Sequence, residues 1–258
     1  MIYTTVGIKN NKMDELDGIQ DEFEYILNRK PRIFKESAKQ ELIKKNQVNF
    51  VAGLLTERDG NYYIRKDEHL LHRTLIVLDF DDIPVDAETF KKAVHAGLAE
   101  FEYYLYPTKS NTPENPHYRL ILKPDKPFTR WEHKPLIREL ETRIGIKTGD
   151  NANGTWSQMN GFPTCIGGTE KAYREQCFLN RGNVYPITVE PEIAPKRSIA
   201  YDNSDVTPIP KELSHIMMEK YIMDAKNQTY LQDNKNYYDT LRVIVKSVQL
   251  GEISIEDG

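Results

Sequence analysis

Two aspartates one residue apart, at the end of an apolar run, are the strongest chemical feature of this chain. Leu75-Ile76-Val77-Leu78 leads directly into Asp79-Phe80-Asp81-Asp82. A run of this kind reads as a buried strand. Alternation along a strand puts Asp79 and Asp81 on one face and turns Phe80 into the packing. In a helix, residues two apart project to nearly opposite sides, and the pair could not act together. Two carboxylates so placed repel each other unless a cation lies between them, and oxygen donors of this type suit Mg²⁺ or Mn²⁺. A bare Asp-x-Asp is more often a solvated acidic loop; the unbroken apolar run before this one weighs toward a metal site.

A second group follows in Tyr106-Pro107-Thr108-Lys109-Ser110-Asn111 and, after a proline-bearing loop, His117-Tyr118-Arg119-Leu120-Ile121-Leu122. On the strand expected from His117 to Leu122, His117 and Arg119 share a face, and Tyr118, Leu120 and Leu122 share the other. With the hydroxyls of Thr108 and Ser110 and the ammonium of Lys109, that imidazole and guanidinium suit a triphosphate, since Arg forks onto phosphate oxygens. An edge strand with polar residues facing water reads equally well. The third group is Asp150, in the loop Gly149-Asp150-Asn151-Ala152-Asn153-Gly154, followed by Thr155 to Thr164. A loop aspartate is usually a turn-former. The order of the three groups gives Asp150 its interest: three carboxylates holding two cations, with a basic strand between them, is the arrangement of a two-metal nucleotidyl-transfer centre.

The elements that must position these residues follow from periodicity. Ile2 to Val6 and Asn49 to Leu55 read as strands, and Asp59-Gly60-Asn61 as a hairpin turn before Tyr62. Apolar residues at helical spacing predict helices over 13–27, about 37–45, 87–102 and 130–144. Tyr103 to Tyr106 reads as a strand, and 176–187 as hairpin-like. His95, His133 and His215 fall in helical contexts and read as surface residues; Trp131 and Trp156 could stack bases, though aromatics more often pack. Prolines at 191, 195, 208 and 210 mark 191–210 as a linker, separating a domain over 1–190 from a helical segment over 211–258. The ending at Gly258 reads as a boundary within a longer protein.

Bulk composition narrows the classes. The 258 residues are 39% hydrophobic and 29% charged, with a net charge of −4. That is the balance of a polar globular protein with a real core. No apolar run reaches membrane-spanning length, and no signal peptide opens the chain, so no membrane partner and a cytoplasmic location are expected. The two cysteines, Cys165 and Cys177, are too few for a disulfide framework or a zinc site. There is no global basic field, so nucleic-acid binding would need a local groove or metal-bridged phosphates.

In the order of these motifs the chain resembles the archaeo-eukaryotic primase (primase-polymerase) superfamily, in its phage, plasmid and genomic-island replication forms, over roughly residues 40 to 190. Phe-Val-Ala-Gly-Leu-Leu followed by Leu-Asp-Phe-Asp-Asp is similar to the family's approach to its Asp-x-Asp motif. Pro107 to Leu122 is similar to its phosphate-binding motif, and Ser157 to Thr164 to the segment after its third acidic motif. The resemblance implies an α+β fold: a catalytic core with an RRM-like antiparallel sheet, a smaller N-terminal α/β unit, and a helical C-terminal segment that often precedes a helicase. It implies Asp79, Asp81 and Asp150 as ligands of two Mg²⁺ or Mn²⁺ ions. It further implies His117, Arg119, Ser110, Lys109 and Thr108 around the incoming nucleotide, and a DNA primase or polymerase using nucleoside triphosphates on single-stranded DNA. A helicase, in the same protein or in trans, is the expected partner. The common small-x-His form is here Asn115-Pro116-His117, which leaves open whether His117 or Arg119 does the family histidine's work; Asp125 is a second acid in the region of Asp150. Two other readings stand beside this one. One is a haloacid-dehalogenase-like phosphatase with Asp79 as nucleophile; the other is a catalytically silent replication-initiator module that binds DNA.

Overall fold

The computed structural model describes residues 1–192, except 82, 113, 114 and 150 and the side chain of 151. The expected linker over 191–210 lies almost wholly outside the described residues, and the helical segment over 211–258 entirely so. The described residues belong to one compact unit.

The N-terminal part is built on β1 (Ile2–Val6), β2 (Lys12–Leu16), α1 (Glu22–Leu27), β3 (Arg32–Phe34), α2 (Gln40–Asn46) and β4 (Val48–Leu55). The small hairpin β5 (Arg58–Asp59) and β6 (Tyr62–Ile64) follows, and then β7 (Leu70–Arg73). The second part runs β8 (Ile76–Phe80), α3 (Ala87–Leu98), β9 (Tyr103–Pro107), β10 (Tyr118–Leu122) and α4 (Arg130–Ile144). A 3₁₀ turn (Asn151–Gly154), β11 (Asn160–Gly161), β12 (Thr164–Ile166), α5 (Glu170–Gln176) and β13 (Phe178–Asn180) complete it.

Two sheets organise these elements. The first is seven-stranded, in the order β11-β4-β1-β2-β6-β5 with β7 also paired to β4. The second is four-stranded, β13-β9-β10-β8, antiparallel at every pairing. The fold is therefore α+β, as expected. The run strand-helix-strand-strand-helix from β8 to α4, with the third strand central, is RRM-like in its connections. The fourth strand, β13, lies outside β9, so β8 is the end strand of this sheet, bridged at Phe80 by Gly149.

The four-stranded sheet is buried on both faces, and this sets where the acids lie. Ile76, Leu78 and Phe80 pack with Phe90, Val94 and Leu98 of α3 and with Leu136 and Leu140 of α4. Leu75, Val77, Tyr104, Tyr106 and Ile121 pack on the other side with Ile2, Phe50 and Phe162 of the N-terminal part. By parity Asp79 continues the Leu75–Val77 row and Arg119 the Ile121 row. Both therefore stand at the margin of the contact between the two sheets.

Two expected elements differ. The helix expected over 13–27 is instead β2 followed by α1. Gly18 turns the chain at φ +75°, and Asp21 starts α1 by accepting from the Glu24 N–H at 3.1 Å. Lys12–Leu16 alternates as a strand with Met13 buried, and the spacing of Leu16, Ile19 and Phe23 matches a helical stripe only by running across that turn. In 176–187, only Phe178–Asn180 is strand, and α5, which no stripe announced, precedes it. No helix among the described residues is long and apolar enough to cross a membrane.

Candidate active site

The register of the central sheet brings the first two sequence groups together. β10 runs antiparallel to β8 with Arg119 opposite Asp79 and Tyr118 opposite Phe80. Residues directly opposite on one face are the closest side-chain neighbours in a sheet. Arg119 Nη2 makes an ion pair with Asp79 Oδ2, the two side chains being 8% and 16% exposed. Two residues along, His117 Nδ1 lies 2.6 Å from Asp81 Oδ1, with side chains 12% and 39% exposed. A carboxylate only accepts, so Nδ1 carries the proton in this bond. The expectation that Asp79 and Asp81 share a face, and that His117 and Arg119 share one, holds in the paired strands.

Arg119 is the most constrained of the four. Its Nη1 donates to the carbonyl of Gly161 at 2.6 Å, an oxygen that also accepts from the Tyr106 hydroxyl at 2.9 Å. Burial works against its charge, but Asp79 and Tyr106 beside it outweigh that and hold the guanidinium above its ordinary value. Burial in turn pushes the Tyr106 phenol up to about 12. An edge strand with solvated polar residues was the alternative reading of this segment. Since β10 is an inner strand, that alternative fails.

The Ser157 to Thr164 segment enters through Gly161. Arg73, buried in the N-terminal part, donates to the Trp156 carbonyl at 2.6 and 2.9 Å and to the Gln158 carbonyl at 2.6 Å. Trp156 Nε1 donates to the Leu70 carbonyl at 2.7 Å, so this ring packs rather than stacks bases. Thus anchored, the chain pairs as β11 with β4, Gly161 opposite Asn49. A Cβ on Gly161 would displace the end of the Gln47 side chain, met at 1.8 Å, and press on Arg119 Nη1 at 3.2 Å, so the backbone lies close against the guanidinium.

The loop between β9 and β10 places the remaining nucleotide candidates. Thr108 pairs its N–H with the His117 carbonyl at 2.9 Å, and Asn111 closes the turn onto the Thr108 carbonyl at 3.1 Å. Asn111 Oδ1 accepts from the His117 N–H at 2.8 Å. Lys109 and Ser110 form the tip of that turn. The Lys109 ammonium is buried without a hydrogen-bond partner among the described residues, and burial, then Lys44, lowers its pKa. Burying a cation is costly unless an anion completes it.

Asp150 lies outside the described residues. Its neighbour Gly149 bridges antiparallel to Phe80, and Thr148 accepts from the Asp81 N–H at 3.1 Å. Asp125 is placed elsewhere: it binds the Ile187 N–H at 3.0 Å, beyond the far end of β10. Sequence reasoning passed over Tyr106, Gly161, Asn153 and His133. His133, expected at the surface, is buried, and burial followed by Arg73 pushes its pKa down to about 3.

Among the described residues no three His, Cys, Asp or Glu side chains gather as a metal site. Asp79 and Asp81 fit a hard divalent cation by donor type, and a cation would have to share them with Arg119 and His117. This geometry favours the phosphatase reading less than the metal-holding one. A nucleophilic carboxylate needs open access to phosphorus, and Asp79 is largely buried and ion-paired.

An α+β unit with two carboxylates paired to a guanidinium and an imidazole across neighbouring antiparallel segments is the class that fold and site define. Residues 30–163 match the VapE N-terminal domain family, and the chain belongs to that family. The matched span contains all three sequence groups. No curated protein matches. Among solved structures, the AEP domain of the cyanophage S-2L primase-polymerase (PP-N190) is similar at 15% identity and a TM-score of 0.37, over 60% of this chain and 74% of that one.

Proposed function

We propose that the chain is a metal-dependent DNA primase or primase-polymerase, transferring a nucleotide from a nucleoside triphosphate to a 3′-hydroxyl on single-stranded DNA. The observation that carries this reading is the paired register of Asp79 with Arg119 and of His117 with Asp81. Asp79, Asp81 and Asp150 would hold two Mg²⁺ or Mn²⁺ ions, which when bound neutralise charge on the attacking and leaving oxygens. Arg119, tied to Asp79 and Gly161, fixes the Asp79 carboxylate. His117, oriented through Nδ1 by Asp81, takes the family histidine's part at the triphosphate, and Lys109, Ser110 and Thr108, on the turn that leads into it, would add donors and charge. Attack of the 3′-oxygen on the α-phosphorus forms the new P–O bond and releases pyrophosphate. A helicase, in the same protein or in trans, would supply the single-stranded template.

The test is primer synthesis on single-stranded DNA with ribo- or deoxynucleotides and Mg²⁺ or Mn²⁺. Incorporation that disappears in Asp79→Ala and Asp81→Ala, with pyrophosphate released, supports the reading. A shift of DNA with no incorporation under any condition would instead identify a binding module of the initiator type, and undiminished synthesis by the double variant would defeat the assignment of the acids.

A further inference from the structure

The turn after β1 and one face of α2 stand across a groove of about 790 Å³, lined by Val6, Ile8 and Lys9 on one side and Glu41, Lys44 and Lys45 on the other. Its walls are fixed to each other. Gly7, at φ +82°, donates its N–H to the Gln47 carbonyl at 2.9 Å, and the buried Asn49 side chain donates to the Gly7 carbonyl at 3.1 Å. A Cβ on Gly7 would meet the Lys45 carbonyl oxygen at 2.9 Å, so the turn lies closer to the end of the helix than a larger residue would allow.

The groove is cationic. Lys12, on β2, is matched by Asp59 at 2.6 Å, whereas Lys9, Lys44 and Lys45 make no ion pair among the described residues. Glu41 is the one acid in the lining. Lys44 and Lys45 stand in the last turn of α2, where the helix dipole favours cations; Lys9, on the facing turn, owes nothing to that dipole. The helix end also touches the candidate active site. Gln47, which caps α2, reaches the backbone of Gly161, where a Cβ would meet its Nε2 at 1.8 Å, and the Gly161 carbonyl accepts from Arg119.

We propose that this groove seats the sugar-phosphate backbone of the single-stranded DNA template, with Lys9 and Lys45 on its phosphates. The proposal rests on the reading of the chain as a primase or primase-polymerase. Three ammonium groups against one carboxylate suit a run of regularly spaced anions. No aromatic among the described residues lines the groove, so bases do not stack there and the hold is electrostatic and independent of sequence. The exposed Val6 and Ile8 offer apolar contact to the sugars. Lys44, which also acts on Lys109, stands on the side of the nucleotide-binding turn.

The test is anisotropy of a labelled oligothymidylate with the full chain across a salt series, run beside primer extension. Each phosphate contact on a single strand contributes about 0.7 to the slope of log affinity against log salt. The Lys9→Gln, Lys45→Gln double variant should therefore lose about 1.4 of that slope and roughly 25-fold in affinity at about 0.1 M salt. Both side chains are exposed, so the fold is kept. The KM for template should rise by a similar factor, with kcat at saturating template and the KM for nucleotide unchanged. A variant losing the same charge at Lys92 and Lys171, neither of which lines the groove, should bind as the wild type does. A groove variant with wild-type slope and affinity, or one no weaker than the Lys92, Lys171 control, would overturn the proposal, as would a rise in the KM for nucleotide alone. In each case the primase reading stands while the wild-type chain extends primers. A wild-type chain that binds the oligonucleotide through these lysines but incorporates no nucleotide under Mg²⁺ or Mn²⁺ would defeat that reading and leave the groove as a seat for single-stranded DNA.

Discussion

The ion pair between Arg119 and Asp79 can be tested without any assay of function. Arg119→Met keeps roughly the length and apolar stem of the side chain but removes the charge. It leaves the Asp79 carboxylate at 16% exposure without its guanidinium and the Gly161 carbonyl with one donor fewer. Breaking a buried pair from one side costs about 3–5 kcal/mol, because the remaining charge is left uncompensated. The residual exposure of Asp79 argues for the lower figure, about 3 kcal/mol. For a domain of this size that corresponds to a fall in Tm of roughly 6–12 °C. Asp79→Asn should cost a comparable amount by stranding the buried guanidinium. The double variant removes both charges and should be more stable than the sum of the two losses by about 2 kcal/mol. Urea unfolding of the four proteins closes the cycle. Single losses below about 1 kcal/mol that simply add would mean that the pair behaves as a surface contact, and the argument for a preorganised carboxylate would fall with it.

Three further outcomes follow from the same geometry. His133 has its pKa pushed down to about 3 in the folded chain, below its unfolded value of about 6.5; the unfolded chain therefore binds more protons between these values. Stability from this group is complete above pH 6.5 and declines as pH falls, by about 1.4 kcal/mol per unit at most; urea unfolding of His133→Gln between pH 4 and 6 should show that slope flattened, and an unchanged slope would refute the assignment. Lys109→Met should raise the KM for nucleotide roughly tenfold while Tm stays level or rises, since the amine is buried without a partner; a clear drop in Tm would show that the ammonium serves the fold. Gly161→Ala should lower kcat by pressing on Arg119 Nη1 at 3.2 Å, and a variant with unaltered turnover would show that this approach is not needed.

Much of the site could be read from residue order because it is built on strands. Alternation fixes faces, so Asp79 with Asp81 and His117 with Arg119 were legible, and so was the helix at Arg130–Ile144, whose apolar stripe is buried. The stretch from 13 to 27 was not, because two short elements joined at Gly18 mimic one helical period. Asn153 was invisible for a different reason. Its carboxamide meets the Asp79 N–H and carbonyl at 2.8 and 2.7 Å, a contact between distant stretches of chain that no local pattern contains. Gly161 and His133 share that limit: one matters through the guanidinium pressed against its backbone, the other through a carbonyl in a distant loop. Asp150 could be placed by sequence order alone, since it lies outside the described residues.

The charge pattern explains how a chain of net charge −4 could act on a polyanion. The acids at the site do not present bare negative charge. Asp79 is matched by the Arg119 guanidinium and Asp81 by the His117 ring N–H, so the local field is set by what remains unmatched. Lys109 is the clearest such group, with Lys44 close enough to lower its pKa. Two ammonium groups that disfavour each other gain most from a ligand carrying several negative oxygens at once, as a triphosphate does, and gain less from a single phosphate. If that is the basis of recognition, nucleoside triphosphate should protect the wild-type chain from thermal unfolding far more than monophosphate does. The difference should shrink in Lys109→Met and again in the Lys44→Met, Lys109→Met double variant. Equal protection by the two nucleotides in the wild-type protein would show that these lysines do not select for charge.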